Sequence, residues 1–101
     1  MPTSDVSAFL SLKSLPGQIA DGTDLNDLTL PGSYHTLANS NSQTLVNAPS
    51  GRQGNCRVIV ITNTGSGSSQ YGWQIYMDVS KIWVRSRANG TWKGWTQLLA
   101  I

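Results

Sequence analysis

From residue 56 onward, apolar residues come in short runs separated at close intervals by turn-forming pairs. CRVIVIT at 56–62 is β-branched and apolar enough to predict a buried central strand. In YGWQIYM at 71–77, Trp73, Ile75 and Met77 fall on one face of a strand, with Gln74 and Tyr76 on the other. After Asp78-Val79 turns the chain, SKIWVRSR at 80–87 repeats the pattern: Ile82, Val84 and Ser86 share one face, and Trp83, Arg85 and Arg87 the opposite one. Asn89-Gly90 is a two-residue hairpin signal, because both central positions of a type I′ turn require positive φ. The last strand is TWKGWTQLL at 91–99. Within it, Gly94 predicts a bulge or a close backbone approach, and it shifts the alternation so that Trp92 and Trp95 need not share a face. Four consecutive strands with short connections make an antiparallel meander.

The first half is more polar. DVSAFLSLKSL at 5–15 places Val6, Phe9, Leu10 and Lys13 at helical spacing, with Asp5 near the start and Pro16-Gly17 as a stop. A helix this short is marginal in water, so its apolar face must lie on the domain or on a neighbouring chain. Residues 1–20 therefore read as a linker or docking segment and 21–101 as the domain. DGTDLNDLTLPG at 21–32 predicts one helical turn capped by Thr23 or Asp24, then a tight turn at Pro31-Gly32 into a strand at 33–38. Segment 39–54 is expected to be mostly loop around a short extended piece at 44–46. The fold class is thus mainly β: a small antiparallel meander or sandwich with a short N-terminal helical segment. The apolar end Leu98-Leu99-Ala100-Ile101 must be covered, which points to a subunit partner.

Composition narrows the function. Charged residues are 12% of the 101, against roughly 25% in ordinary soluble domains. Ser, Thr, Asn and Gln take their place, and there is no Glu. Residues 1–51 hold Lys13 and four Asp; residues 52–101 hold six Lys or Arg and Asp78. A neutral surface rich in hydroxyls and amides suits contact with sugars or with copies of itself. Six dispersed cations do not make the concentrated basic stripe of a nucleic-acid binder. No run approaches the roughly 20 apolar residues that span a bilayer, and residues 1–20 do not read as a secretory signal. Cys56, the only cysteine, forms no disulfide within the chain and reads as a small core hydrophobe.

Candidates for chemistry are few. Glycoside hydrolysis needs two carboxylates about 5–9.5 Å apart, and Asp24 and Asp27 are better read as caps or turn formers. His35, the only histidine, lacks a nucleophile context such as GxSxG and reads as structural or exposed. Metal-ligand spacing and a phosphate-loop ending are absent from the sequence, so neither metal nor cofactor is expected. An enzyme is therefore not expected. What remains is aromatic: four Trp and three Tyr. Trp73 and Trp92 are expected in the core. Trp83, beside Arg85 and Arg87, is expected to stack under an arginine, meet a partner subunit or form a ligand platform. The candidate ligand contacts are Trp83, Arg85, Arg87 and Tyr76 with the loop residues Gln70 and Tyr71.

The series DLNDLTLPGSYHT, NAPSG, GWQIY and VRSRANGTWKGWTQLL, over residues 24–99, resembles the knob domain of phage and R-type pyocin tail fibres. Matching falls on Leu25, Leu28, Pro31, Gly32 and Tyr34, on Asn47, Pro49 and Gly51, and on Arg85, Gly90, Trp92 and Trp95, most of it framework. The resemblance implies a homotrimer at the distal end of a virion's tail fibre or spike, contacting bacterial surface polysaccharide or lipopolysaccharide. Such fibres run to hundreds of residues. The chain is therefore expected to be either an excised knob or a short, separately translated subunit that attaches to a longer fibre or spike chain.

Overall fold

A computed structural model describes residues 17–37, 39–62 and 70–100. The expected helical segment at 5–15, the glycine-serine loop at 65–69 and Ile101 lie outside the described residues. Among the described residues, six antiparallel strands form one sheet: β1 (Gly32–His35), β2 (Arg57–Thr62), β3 (Gly72–Met77), β4 (Lys81–Ala88), β5 (Thr91–Trp92) and β6 (Thr96–Ala100). The order is β1-β2-β3-β4, with β5 and β6 both paired to β4. The meander from β2 onward is as expected. There is one sheet among the described residues, not the two of a sandwich.

Register fixes what packs. Tyr34, Val58, Tyr76 and Trp83 are successive cross-strand partners over β1 to β4, and Val60, Gln74 and Arg85 form the next row. All of these are buried. The cover over this face is not a second sheet but the irregular chain before β2, which contributes Ile19, Leu25 and Leu45 to the same core cluster.

The alternation was therefore legible, but the buried face is the opposite of the one expected. Trp73, expected in the core, is 48% exposed, whereas Trp83 is 4% exposed. Period-two patterning says which residues share a face; it cannot say which face the rest of the chain covers. Here the covering chain is polar in its backbone and needs polar partners. Gln74 supplies them, its Nε2 donating to the carbonyls of Leu25 (2.7 Å) and Leu28 (2.9 Å). A buried amide satisfied in this way is no liability.

Those carbonyls belong to a 3-10 turn, Leu25–Asp27, and to its C-cap Leu28; the turn is capped at its start by Asp24, whose carboxylate accepts from Asn26 N–H at 2.9 Å. The expected strand at 33–38 is shorter. At Thr36 the side-chain hydroxyl replaces a ladder bond by accepting from Cys56 N–H. Residues 17–19 run beside β1, with Ile19 N–H on His35 O at 2.8 Å, and so protect the sheet edge.

Segment 39–54 corrects a second expectation. Asn39–Thr44 is a helix, α1. Arg52 gathers its C-terminal carbonyls and two beyond it: the guanidinium donates to Ser42 O (2.6 Å) and Gln43 O (3.3 Å) in the helix, and to Leu45 O (3.3 Å) and Pro49 O (3.0 Å) after it. A cation on the last carbonyls of a helix satisfies acceptors that have no intrahelical partner.

The hairpin at Asn89-Gly90 has φ of 53° and 79°, as its turn type requires. The expected last strand is split. Lys93, Gly94 and Trp95 bow out between β5 and β6, three residues against Arg85 and Ser86 of β4. A second register shift lies at the Ile82/Trp83 step of β4.

Candidate functional site

The bow at 93–95 builds the site. Three residues facing two disturb strict alternation, and as a result Trp92 and Trp95 both turn to the covered face. Their indole N–H groups donate to the Asn26 carbonyl (3.1 Å) and the Asn47 carbonyl (2.8 Å). Arg85 projects from β4 between them. Its guanidinium carbon lies 4.5 Å from the Trp92 ring centroid and 4.6 Å from that of Trp95. A desolvated cation over an indole face is held by about 2 kcal/mol or more.

Hydrogen bonds fix the guanidinium from the side. Nε donates to Gln74 Oε1 at 2.9 Å and Nη1 to Asn26 Oδ1 at 2.8 Å, while Nη2 is buried with no partner among the described residues. Burial pulls the Arg85 pKa down to about 10, against the opposing charge of Asp24, so the group stays cationic at neutral pH. Asp24 is held below the usual carboxylate range by Asn47 Nδ2 (2.8 Å), by Asn26 N–H and by the charge of Arg85.

In front of this group is a pocket of about 320 Å³ lined by Asn26, Asn47, Ala48, Arg85 and the bow from Trp92 to Trp95. A smaller pocket of about 210 Å³ opens on the other side of the sheet, where Trp73, Val84, Ser86 and Thr96 meet the same Arg85, Lys93 and Gly94. The sheet is thus interrupted at Gly94. A Cβ built there meets nothing within 4 Å, so this glycine marks a gap and not the close backbone approach that was one expectation.

The six sequence candidates do not form one site. Arg85 lines the pocket. Arg87 sits 5.5 Å from the Trp92 centroid. Gln70 and Tyr71 do not line the pocket but lie at the Asn89-Gly90 hairpin, where Gly90 N–H bonds Gln70 O and Tyr71 Oη donates to Asn89 Oδ1 at 2.7 Å. Trp83 and Tyr76 are core residues in edge-to-face contact at 5.5 Å, and neither presents a platform. This corrects their selection: the face bearing them is the covered one. Burial raises the Tyr76 hydroxyl far above its ordinary pKa.

No family model and no curated protein matches the chain. A solved structure does. The chain is similar in fold to a segment of the Pseudomonas aeruginosa R1 pyocin fibre, in a structure comprising its C-terminal residues 323–701. The TM-score is 0.66 at 19% identity, covering 86% of this chain and 22% of the pyocin one. The pyocin-like β fold expected from the sequence is therefore present.

Trp92, expected in the core, and Trp95, Asn26, Asn47 and Lys93 were missed as site residues. The available signal was Gly94 between two tryptophans, since a break in alternation can bring i and i+3 to one face. Nothing local marks Asn26, in the 3-10 turn, and Asn47, 21 residues further on, stood out only as part of the NAPSG turn.

Proposed function

We propose that the chain is a knob of a phage tail fibre or tail spike that binds bacterial surface glycan, lipopolysaccharide or capsule, and so attaches a virion to its host. The observation that carries the reading is the pocket at Arg85, Trp92 and Trp95. Indole rings offer apolar faces and edges to sugar C–H groups. The amides of Asn26 and Asn47, with Lys93, offer hydrogen bonds to hydroxyls. The rings are held by the buried Arg85, so little ordering is required on binding. The fold likeness to a pyocin fibre supports the same setting. The chain acts by contact and not by catalysis, and weak single-site affinity is raised by presenting three copies on one fibre.

Gly94→Gln tests this. The substitution has room, sits at the mouth of the pocket and leaves the Arg85 contacts alone. On an array of bacterial surface polysaccharides, the native chain is expected to retain at least one and the variant to lose it by roughly tenfold or more, the equivalent of one good contact, at an unchanged melting temperature. Equal retention by the two proteins refutes the site.

A second reading rests on the outer sheet face. Ile59, Ile75 and Val84 form one cross-strand row there, beside Ile61-Trp73 and Met77-Ile82-Leu99. An apolar face of this extent also fits a trimerisation or capping subunit that stabilises a larger spike, with receptor recognition on another chain.

A further inference from the structure

We propose that the pocket selects an anionic sugar, one carrying a carboxylate or a phosphate ester, over a neutral one. The inference rests on the glycan-binding reading and adds the ligand's charge.

Two cationic donors without a protein acceptor carry it. Several acceptors around the pocket are already used within the protein. Gln74 Oε1 and Asn26 Oδ1 accept from Arg85, and the Asn26 and Asn47 carbonyls accept from the two indoles. An Asp24 carboxylate oxygen accepts from Asn26 N–H and Asn47 Nδ2. The donors are not exhausted. Arg85 Nη2 is unpartnered on a side chain that is 5% exposed, and Lys93 stands on the exposed rim with no ion pair among the described residues. Cationic donors without a protein acceptor match a ligand that accepts at every oxygen, as an ionised carboxylate or phosphate does.

Charge points the same way. Among the described residues, Arg85 and Lys93 are the two ionisable side chains lining the pocket, and both are cationic. Asp24, the nearest acid, already has its partners. Lys93 makes the first contact. Arg85 lies behind it, its buried guanidinium lining the same pocket.

The test uses the whole purified chain against three immobilised probes: polygalacturonate for carboxylate, phosphomannan for phosphate and dextran as the neutral arm. Binding is expected on one or both anionic probes and at least about tenfold weaker on dextran, the worth of one charge-assisted hydrogen bond. It should fall in about 1 M salt, where charges are screened beyond about 3 Å. Lys93→Gln is expected to lose about tenfold on the anionic probe, whereas Arg57→Gln, the same charge removed from the exposed β2 end, loses little. The carboxylate and phosphate arms tell the two sources apart. Equal or better binding to dextran, or binding indifferent to Lys93→Gln and to salt, overturns the anionic selection and leaves glycan binding standing. Binding to none of the three, with none on the bacterial array, overturns both.

Discussion

Arg85 lies between Trp92 and Trp95, its guanidinium carbon almost equidistant from the two ring centroids at 4.5 and 4.6 Å. The three side chains come from β4, β5 and the bow before β6, so one cation fixes the placement of the whole C-terminal end. Arg85→Met keeps the stem but leaves Gln74 Oε1 and Asn26 Oδ1 without their donor. Each abandoned buried acceptor costs about 1–3 kcal/mol. Chemical denaturation is expected to show a loss of roughly 2–5 kcal/mol. Arg85→Lys, which restores the charge without the planar fork, is expected to recover only part of it.

The inverted sheet faces give opposite consequences for two tryptophans in adjacent strands. Trp83→Ala opens a cavity against Tyr76 in the core and is expected to cost about 3–5 kcal/mol. Trp73→Ala, at a side chain half in solvent, is expected to cost under about 1 kcal/mol in the isolated chain. Paired melting curves decide. Equal losses would mean that the faces are assigned the wrong way round.

That inversion also marks where the sequence stops being readable. Strand positions, the Asn89-Gly90 hairpin and the meander follow from local rules of alternation and turn chemistry, and all are visible in the residues. Which face is covered depends on the chain from Ile19 to Leu45, whose few apolar residues carry no periodicity. Its grip on the sheet runs through Gln74, a polar residue that local pattern assigns to solvent. Helix α1 was hidden for a related reason: its carbonyls are satisfied by Arg52, beyond the helix end, so its own residues advertise nothing. Trp92 and Trp95 were visible as rings, but their convergence on Arg85 is a product of the bow at Gly94.

Acid should weaken the fold partly through Asp78. Burial alone would raise its pKa, but donors from Gln53 N–H (2.7 Å), Ser80 N–H (2.7 Å), Ser80 Oγ (2.8 Å) and Lys81 N–H (2.9 Å) hold it below the ordinary value. A depressed folded pKa adds stability that is fully present above the unfolded value, about 3.9, and is lost as pH falls through the folded one. Stability is expected to be flat from neutrality to about pH 5 and to decline below about pH 4. Asp78→Asn should lower the plateau and flatten the decline. An unchanged acid limb in the variant would remove Asp78 from this role.

The outer sheet face makes an assembly prediction. Trp73 and Leu99 are 48% and 55% exposed there, on a face whose neighbours are mainly apolar. Light scattering on the native chain is expected to give the mass of three copies, and Trp73→Lys to shift it towards one. A native monomer would leave this face for another chain to cover.

The most direct test of a binding site at Arg85 is to watch the indole N–H signals of Trp73, Trp83, Trp92 and Trp95 in a nitrogen–proton correlation spectrum. The titrant is a bacterial surface polysaccharide that the chain retains. The expected result is a dose-dependent shift of the Trp92 and Trp95 peaks, with Trp83 unmoved. Shifts confined to Trp73, or none at saturation, would contradict the account.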